Sequence, residues 1–271
     1  MKRAIYLSIL GIITAVCIVI GIAGRIGRFS IGKTHDYYGK KVILEDEKLD
    51  EFQKIEFDTA VLSGNIVKGD DYTISYEASE KLVPDYYVEN GTLYVKQKDD
   101  LKLKDHLGGN TKMKITITIP DGVCLENIEV GADVGDVNIE GIKTSQFTCD
   151  ADVGDIDVKN AELGIVKFTA DVGDINIDSA IMADASVEAS VGNIDMKEVK
   201  VQNADITADV GDVAVKVIGN RDDYNLKLNA GLGDVKVDGE HSSSHIENNT
   251  NGMYTFEVDG GVGNVRVDFE N

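Results

Sequence analysis

ADVGDVNI begins at Ala132, and ADVGDIDV, ADVGDINI and ADVGDVAV begin at Ala151, Ala170 and Ala208, with the variant ASVGNIDM at Ala189. The glycines of this phrase, Gly135, Gly154, Gly173, Gly192 and Gly211, are each 19 residues apart. Gly233 follows after 22 residues and Gly263 after 30, in GLGDVKV and GVGNVRV. The two longer intervals hold polar insertions, GNRDDYN near Gly219 and HSSSHIENNTNG near His241. They read as loops on a fixed frame, because the register resumes after each. Self-similarity at a fixed period is the signature of a repeat architecture and takes precedence over any local motif.

Aligning the repeats exposes the columns. Val137, Ile156, Ile175 and Ile194 stand two residues after the glycine, and Ile139, Val158, Ile177 and Met196 four after it. Further apolar columns run through Ile142, Thr144, Phe147, Cys149, Ala151 and Val153 and their equivalents. Alternation within each run predicts strands with one buried face. The alternation slips at the Gly-Asp pair, between positions four and seven, and between nine and twelve. Each slip lets the chain turn and the next strand point inward again. Three slips per 19 residues predict an all-β fold, a β-solenoid of parallel β-helix type, with a two-faced coil as the competing shape. One coil cannot bury its own apolar face, so stability requires stacking.

Upstream, Ser63-Gly64-Asn65-Ile66 resembles the corner phrase, and YTISYEA and KITITIP alternate at period two. YYVENGTLYV places Asn90-Gly91 between two alternating arms, a two-residue hairpin signal. The stretch from Asp99 to Lys112 reads as an exposed loop.

The N-terminal segment has a different character. Ala4 to Gly24 holds 21 residues without a charge, and as a helix it would span roughly 30 Å, the hydrocarbon thickness of a bilayer. It predicts one uncleaved transmembrane helix rather than a signal peptide, since GIAGRIG makes a poor cleavage site. The expected order is a short tail at 1–3, the anchor at 4–24, a juxtamembrane linker at 25–50 and a β-solenoid domain at 51–271. Lys2 and Arg3 precede the span while Arg25 and Arg28 follow it, so charge alone leaves its orientation undecided.

The formal net charge is −21; residues 1–33 carry five cations and no acid, so the remainder carries −26. That excludes a general nucleic-acid binder, which needs cations against phosphate. Three cysteines, Cys17, Cys124 and Cys149, without CxxC spacing, predict free thiols rather than a disulfide framework or a zinc site.

The repeated acids raise the question of a ligand. Asp136, Asp155, Asp174 and Asp212 follow the glycine, and Asp133, Asp152, Asp171 and Asp209 lie two before it, with Ser190 and Asn193 breaking the columns. In a stack they stand about 4.8 Å apart and repel by roughly 0.9 kcal/mol per neighbouring pair in water. The plainer reading is turn residues bonding nearby backbone amides; the competing one is a Ca²⁺-relieved ladder. Calcium asks for six to eight oxygens, more than one Asp pair supplies, and the double glycine of the calcium nonapeptide is missing. Acids beside every glycine and no GK[ST] argue against a phosphate cradle. No cofactor is expected, Ca²⁺ being the one candidate.

No GxSxG, HExxH or Cys–His arrangement is present. A β-helical carbohydrate enzyme would use a carboxylate pair, yet the acids recur evenly and the chain has no Trp for sugar stacking. The expectation is a non-enzyme. If a binding surface is local, the insertions are its place: Arg221, Asp222, Asp223 and Tyr224 in one, His241 and His245 in the other.

SGNI at Ser63, the ITIP segment ending at Pro120 and the serial VGD corners together resemble a bacterial family. These are the "putative adhesin" proteins with β-strand repeats, a domain of unknown function that includes the LiaG-like envelope proteins of Gram-positive bacteria. The resemblance covers Phe52 to Asn271 and departs from the family where Val replaces the usual small polar residue before the glycine. It implies an extracytoplasmic domain on a single-pass anchor with a cytoplasmic N-terminus. The expected role is structural or interactive, as an adhesin or an envelope-stress accessory, with a protein or cell-wall partner; the family carries over no catalytic residues.

Overall fold

A computed structural model describes residues 40–97, 113–242, 244–248 and 251–270. They belong to one compact unit, 38–271. The expected anchor at 4–24 and the loop from Asp99 to Lys112 lie outside the described residues. Among the described residues no helix is long and apolar enough to cross a membrane.

The coils from Val137 to Val191 contribute one short and one long strand each, and in the next coil Ile194–Val210 runs as a single strand through both ladders. Val137–Glu140, Ile156–Lys159 and Ile175–Asp178 pair in parallel as a short ladder, and Lys143–Val153, Glu162–Val172 and Ile181–Val191 as a long one. Register advances by 19 residues per rung, with Ile156 opposite Val137 and Ile175, and Phe147 opposite Val166. The β-solenoid expectation holds.

The three slips coincide with corners. Ala151 and Ile156 both point inward across the Gly154-Asp155 turn, and Val158 and Ala161 do so across Asn160. The third slip falls inside the long strand, which runs without interruption from Lys143 to Val153. Thr144 and Phe147 are buried, while Ser145 and Gln146 between them are exposed, and the pairing skips Ser145 and Gly164. Seven of the aligned columns form one continuous core, from Ile55 through Ile128, Phe168, Ile206 and Val258. Phe147 meets Phe168 of the next coil edge-on at 5.3 Å. A coil therefore completes its core only against its neighbours.

Gly173 shows why the corner is glycine. Its φ is +157°, and an added Cβ would overlap the carbonyl of Gly154 in the rung below. Corner backbones approach too closely for any side chain.

The structure departs from the sequence-based expectation in four places. First, the stack is not in chain order at either end. Lys54–Thr59 lies between Thr92–Lys96 and Cys124–Val134, so the first coil is the second rung. Tyr254–Val262 lies between the 204–210 half of Ile194–Val210 and Tyr224–Leu232, so the last coil is also an inner rung. The sequence period is blind to this, because a rung swapped with its neighbour presents the same columns.

Second, the 241–252 insertion is more than a loop. Glu240–Ser242 pairs antiparallel with Val235–Val237, and His245–Asn248 with Tyr224–Leu232. At the other end Lys41–Lys48 and Asp85–Glu89 are antiparallel edge strands. Both ladders thus end in antiparallel caps that occupy edges otherwise open to pairing. Lys41–Lys48 also moves the start of the domain forward from 51, and 41–48 is not linker.

Third, SGNI at Ser63 sits at a corner but two residues out of phase. Gly64 pairs with Val137, and Ser63 takes the place of Asp136. Fourth, the Val153 column is not core: Val153 is 47% exposed and Val172 41%, against 4% or less for the seven inward columns. The corner turn begins before the glycine, at Val153, and swings that side chain out.

The hairpin at Asn90-Gly91 is present, with φ of 51° and 73°. Cys124 and Cys149 are free thiols, the first exposed and the second buried, and burial pushes the Cys149 thiol far up.

Candidate binding surface

The first aspartate row is bonded along its whole length. Asp136 Oδ1 accepts the Asp155 N–H at 3.2 Å, Asp155 that of Asp174 at 2.8 Å, and Asp174 that of Asn193 at 2.7 Å. Asn193 Oδ1 accepts from Asp212 at 2.9 Å, Asp212 from Asn264 at 2.7 Å, and Asn264 from Asp234 at 3.2 Å. Ser63 starts the row, its hydroxyl accepting the Asp136 N–H at 3.3 Å. Each side chain thus serves an amide that the corner would leave unpaired. Asn193 and Asn264 also donate to Asp174 and Asp212, each at 3.2 Å, which interrupts like-charge repulsion along the row.

The second row, Asp133, Asp152, Asp171 and Asp209, faces solvent. Partial burial, then the charges of Asp133, Asp171 and Asp150, raise the Asp152 carboxyl above its ordinary value. Among the described residues no three His, Cys, Asp or Glu side chains converge in a metal-binding group. In the first row one oxygen of each ligand candidate is already committed to an amide.

Between the rows runs the outward aliphatic column. Val134, Val153, Val172, Val191, Val210, Val262 and Leu232 are register partners in spatial sequence, and Leu232 is 64% exposed. Sequence reading assigned Val153, Val172, Val191 and Val210 to the core. The signal against that was their place immediately before a corner glycine.

The insertion residues are scattered. Arg221–Asp223 is a single 3-10 turn capped by Asn220, and Arg221 pairs with Asp238 at 3.1 Å. Tyr224 is not a surface loop residue: it is buried, donates its hydroxyl to the Val201 carbonyl at 2.6 Å, and packs with Tyr254 and Phe269. It opens a strand at an inward position, and its ring also meets Phe256 edge-on at 6.1 Å. His241 lies on the capping strand of the short ladder and His245 on that of the long ladder, so the two stand on different ladders.

The outer face of the long ladder carries shallow depressions. One of about 460 Å³ is bordered by Ile165, Asp184, Asn203 and Glu257, and one of about 440 Å³ by Thr207, Lys227, His245 and Asp259. These are surface hollows, with the lining contributed by several coils.

Fold and surface define an acidic β-solenoid repeat protein. The chain belongs to the Toastrack DUF4097 family, whose model matches residues 52–252. The last coil, 254–270, falls beyond that match although it is an inner rung. Among solved structures, one described as a putative adhesin from Bacteroides fragilis is similar, with 21% identity and a TM-score of 0.54, covering 84% of this chain and 97% of that one. A putative adhesin from Parabacteroides distasonis shows 13% identity and a TM-score of 0.47, covering 85% and 97%. A lipid-binding protein so described from the same species shows 16% and 0.46, covering 84% and 97%. No curated protein matches the chain.

Proposed function

We propose that the protein is a single-pass membrane protein whose acidic Toastrack solenoid projects from the outer face of a bacterial envelope. Its N-terminus is cytoplasmic, and its role is adhesive or interactive rather than enzymatic. The carrying observation is the surface itself: rows of similar chemistry recur from coil to coil, which suits an extended contact better than chemistry at one locus. The uncharged segment at 4–24 and the adhesin-type description of the Bacteroides fragilis structure support the reading. It needs no bound metal, since the aspartates of the first row serve backbone amides.

Protease added to intact cells tests the placement: the domain should be shaved from the surface, and full protection would overturn it. Binding of the protein to isolated cell wall or to host-cell surfaces tests the role. Release of soluble products from wall polysaccharide would replace it with the enzymatic reading.

A further inference from the structure

The outward aliphatic column has no role in the core. Its neighbours Ala151 and Ala170 are fully buried, yet Val153, Val172 and Leu232 stand between 41% and 64% exposed. A solvated corner tolerates polar side chains, as the adjacent Asp row shows. Here the column stays aliphatic over seven rungs, Val134 to Leu232, including the two rungs stacked out of chain order; Val134, Val191, Val210 and Val262 are half-buried, and the other three are exposed. Six intervals at about 4.8 Å make a ridge roughly 29 Å long. Exposed contiguous apolar surface rimmed by charge marks interaction sites. The rim here is of one sign, with Asp133, Asp152, Asp171 and Asp209 immediately before four of the ridge residues and Asp136, Asp155, Asp174, Asp212 and Asp234 just after the glycine, while Ser190, Gly231, Gly261, Asn193 and Asn264 leave the remaining positions uncharged.

We infer that this ridge docks a partner polypeptide presenting an aliphatic stripe bordered by lysine or arginine side chains. The apolar contact supplies burial, and the flanking acids select a cationic rim and reject an anionic one. A helix of about 18 residues spans roughly 27 Å and matches the ridge in length. The inference rests on the interaction reading above and names the surface and the partner's chemistry.

The test immobilises the purified full-length chain and measures binding of an 18-residue Leu/Lys peptide with one leucine face, beside a control with Glu for Lys. The expected result is saturable, salt-sensitive binding of the Lys peptide and none of the Glu peptide. Val153→Ser with Val172→Ser should weaken it about tenfold, from loss of two apolar contacts. Val153→Thr with Val172→Thr keeps β-branching and volume and should also weaken it, which decides the matter if the serine variant fails to fold. Equal binding by a folded variant would show that charge alone holds the peptide and would overturn the proposal. So would binding of the Glu peptide, failure of the Lys peptide to bind, or valine-dependent adsorption to zwitterionic vesicles. Loss of peptide binding with surface exposure intact refutes the ridge alone; protection from external protease refutes the envelope placement alone.

Discussion

The Asp174 carboxylate accepts the backbone N–H of Asn193 at 2.7 Å, one rung along the solenoid. The repeated acid is therefore a hydrogen-bonding part of the corner, and an amide oxygen can replace it, as Asn193 itself does toward Asp212.

Asp174→Asn should accordingly be close to neutral, while Asp174→Ala should cost about 1–2 kcal/mol by stranding a corner amide. For a domain of this size that is a fall in Tm of about 2–8 °C. Melts of both variants beside the parent check it. Millimolar calcium or chelator should leave the parent's Tm unchanged, and a large rise with calcium would restore the cation ladder.

Asp152 stands in the row that serves no amide, and its carboxyl is raised from 3.8 by partial burial and by its acidic neighbours. A carboxyl raised in the folded state is more easily protonated there than in the unfolded chain. Ionised Asp152 thus opposes folding at neutral pH, and the opposition fades as pH falls through its folded value toward 3.8. Asp152→Asn should raise Tm at pH 7 and do nothing below that range. Added salt should shrink the gain.

Gly173→Ala should be among the most damaging single changes, roughly 3 kcal/mol or more, because left-handed strain adds to overlap with the Gly154 carbonyl. Gly91 has φ +73° but nothing within 4 Å of an added Cβ. Gly91→Ala should cost about 1–2 kcal/mol, the conformational part alone. Denaturant midpoints of the two variants separate close approach from turn strain.

Truncation after Gly252 would remove an inner rung, since Tyr254–Val262 separates two other coils. The shortened chain should lose cooperative folding near its C-terminal end, because Tyr224 is stripped of its ring partners Tyr254, Phe256 and Phe269. A solenoid stacked in chain order would lose only its last rung. Hydrogen exchange over residues 194–237 distinguishes the outcomes.

How much was legible follows from what periodicity encodes. Ile156 and Val158 announce a strand, and the slip at Gly154-Asp155 announces its corner, because inward residues recur every second position until the chain turns. Val153 obeys the same alternation yet faces out, since the corner begins one residue before the glycine. Tyr224 lay within a polar stretch, GNRDDYN, whose composition hid an inward position.

The sequence by itself determined the β-solenoid, its 19-residue coil and seven core columns, because those are local patterns of burial written into every repeat. Only the tertiary structure decided the order of the rungs, the antiparallel caps, the amides that the aspartates serve and the outward turn of the valine ridge. Each of these depends on which coil lies next to which, and identical repeats carry no record of their neighbours.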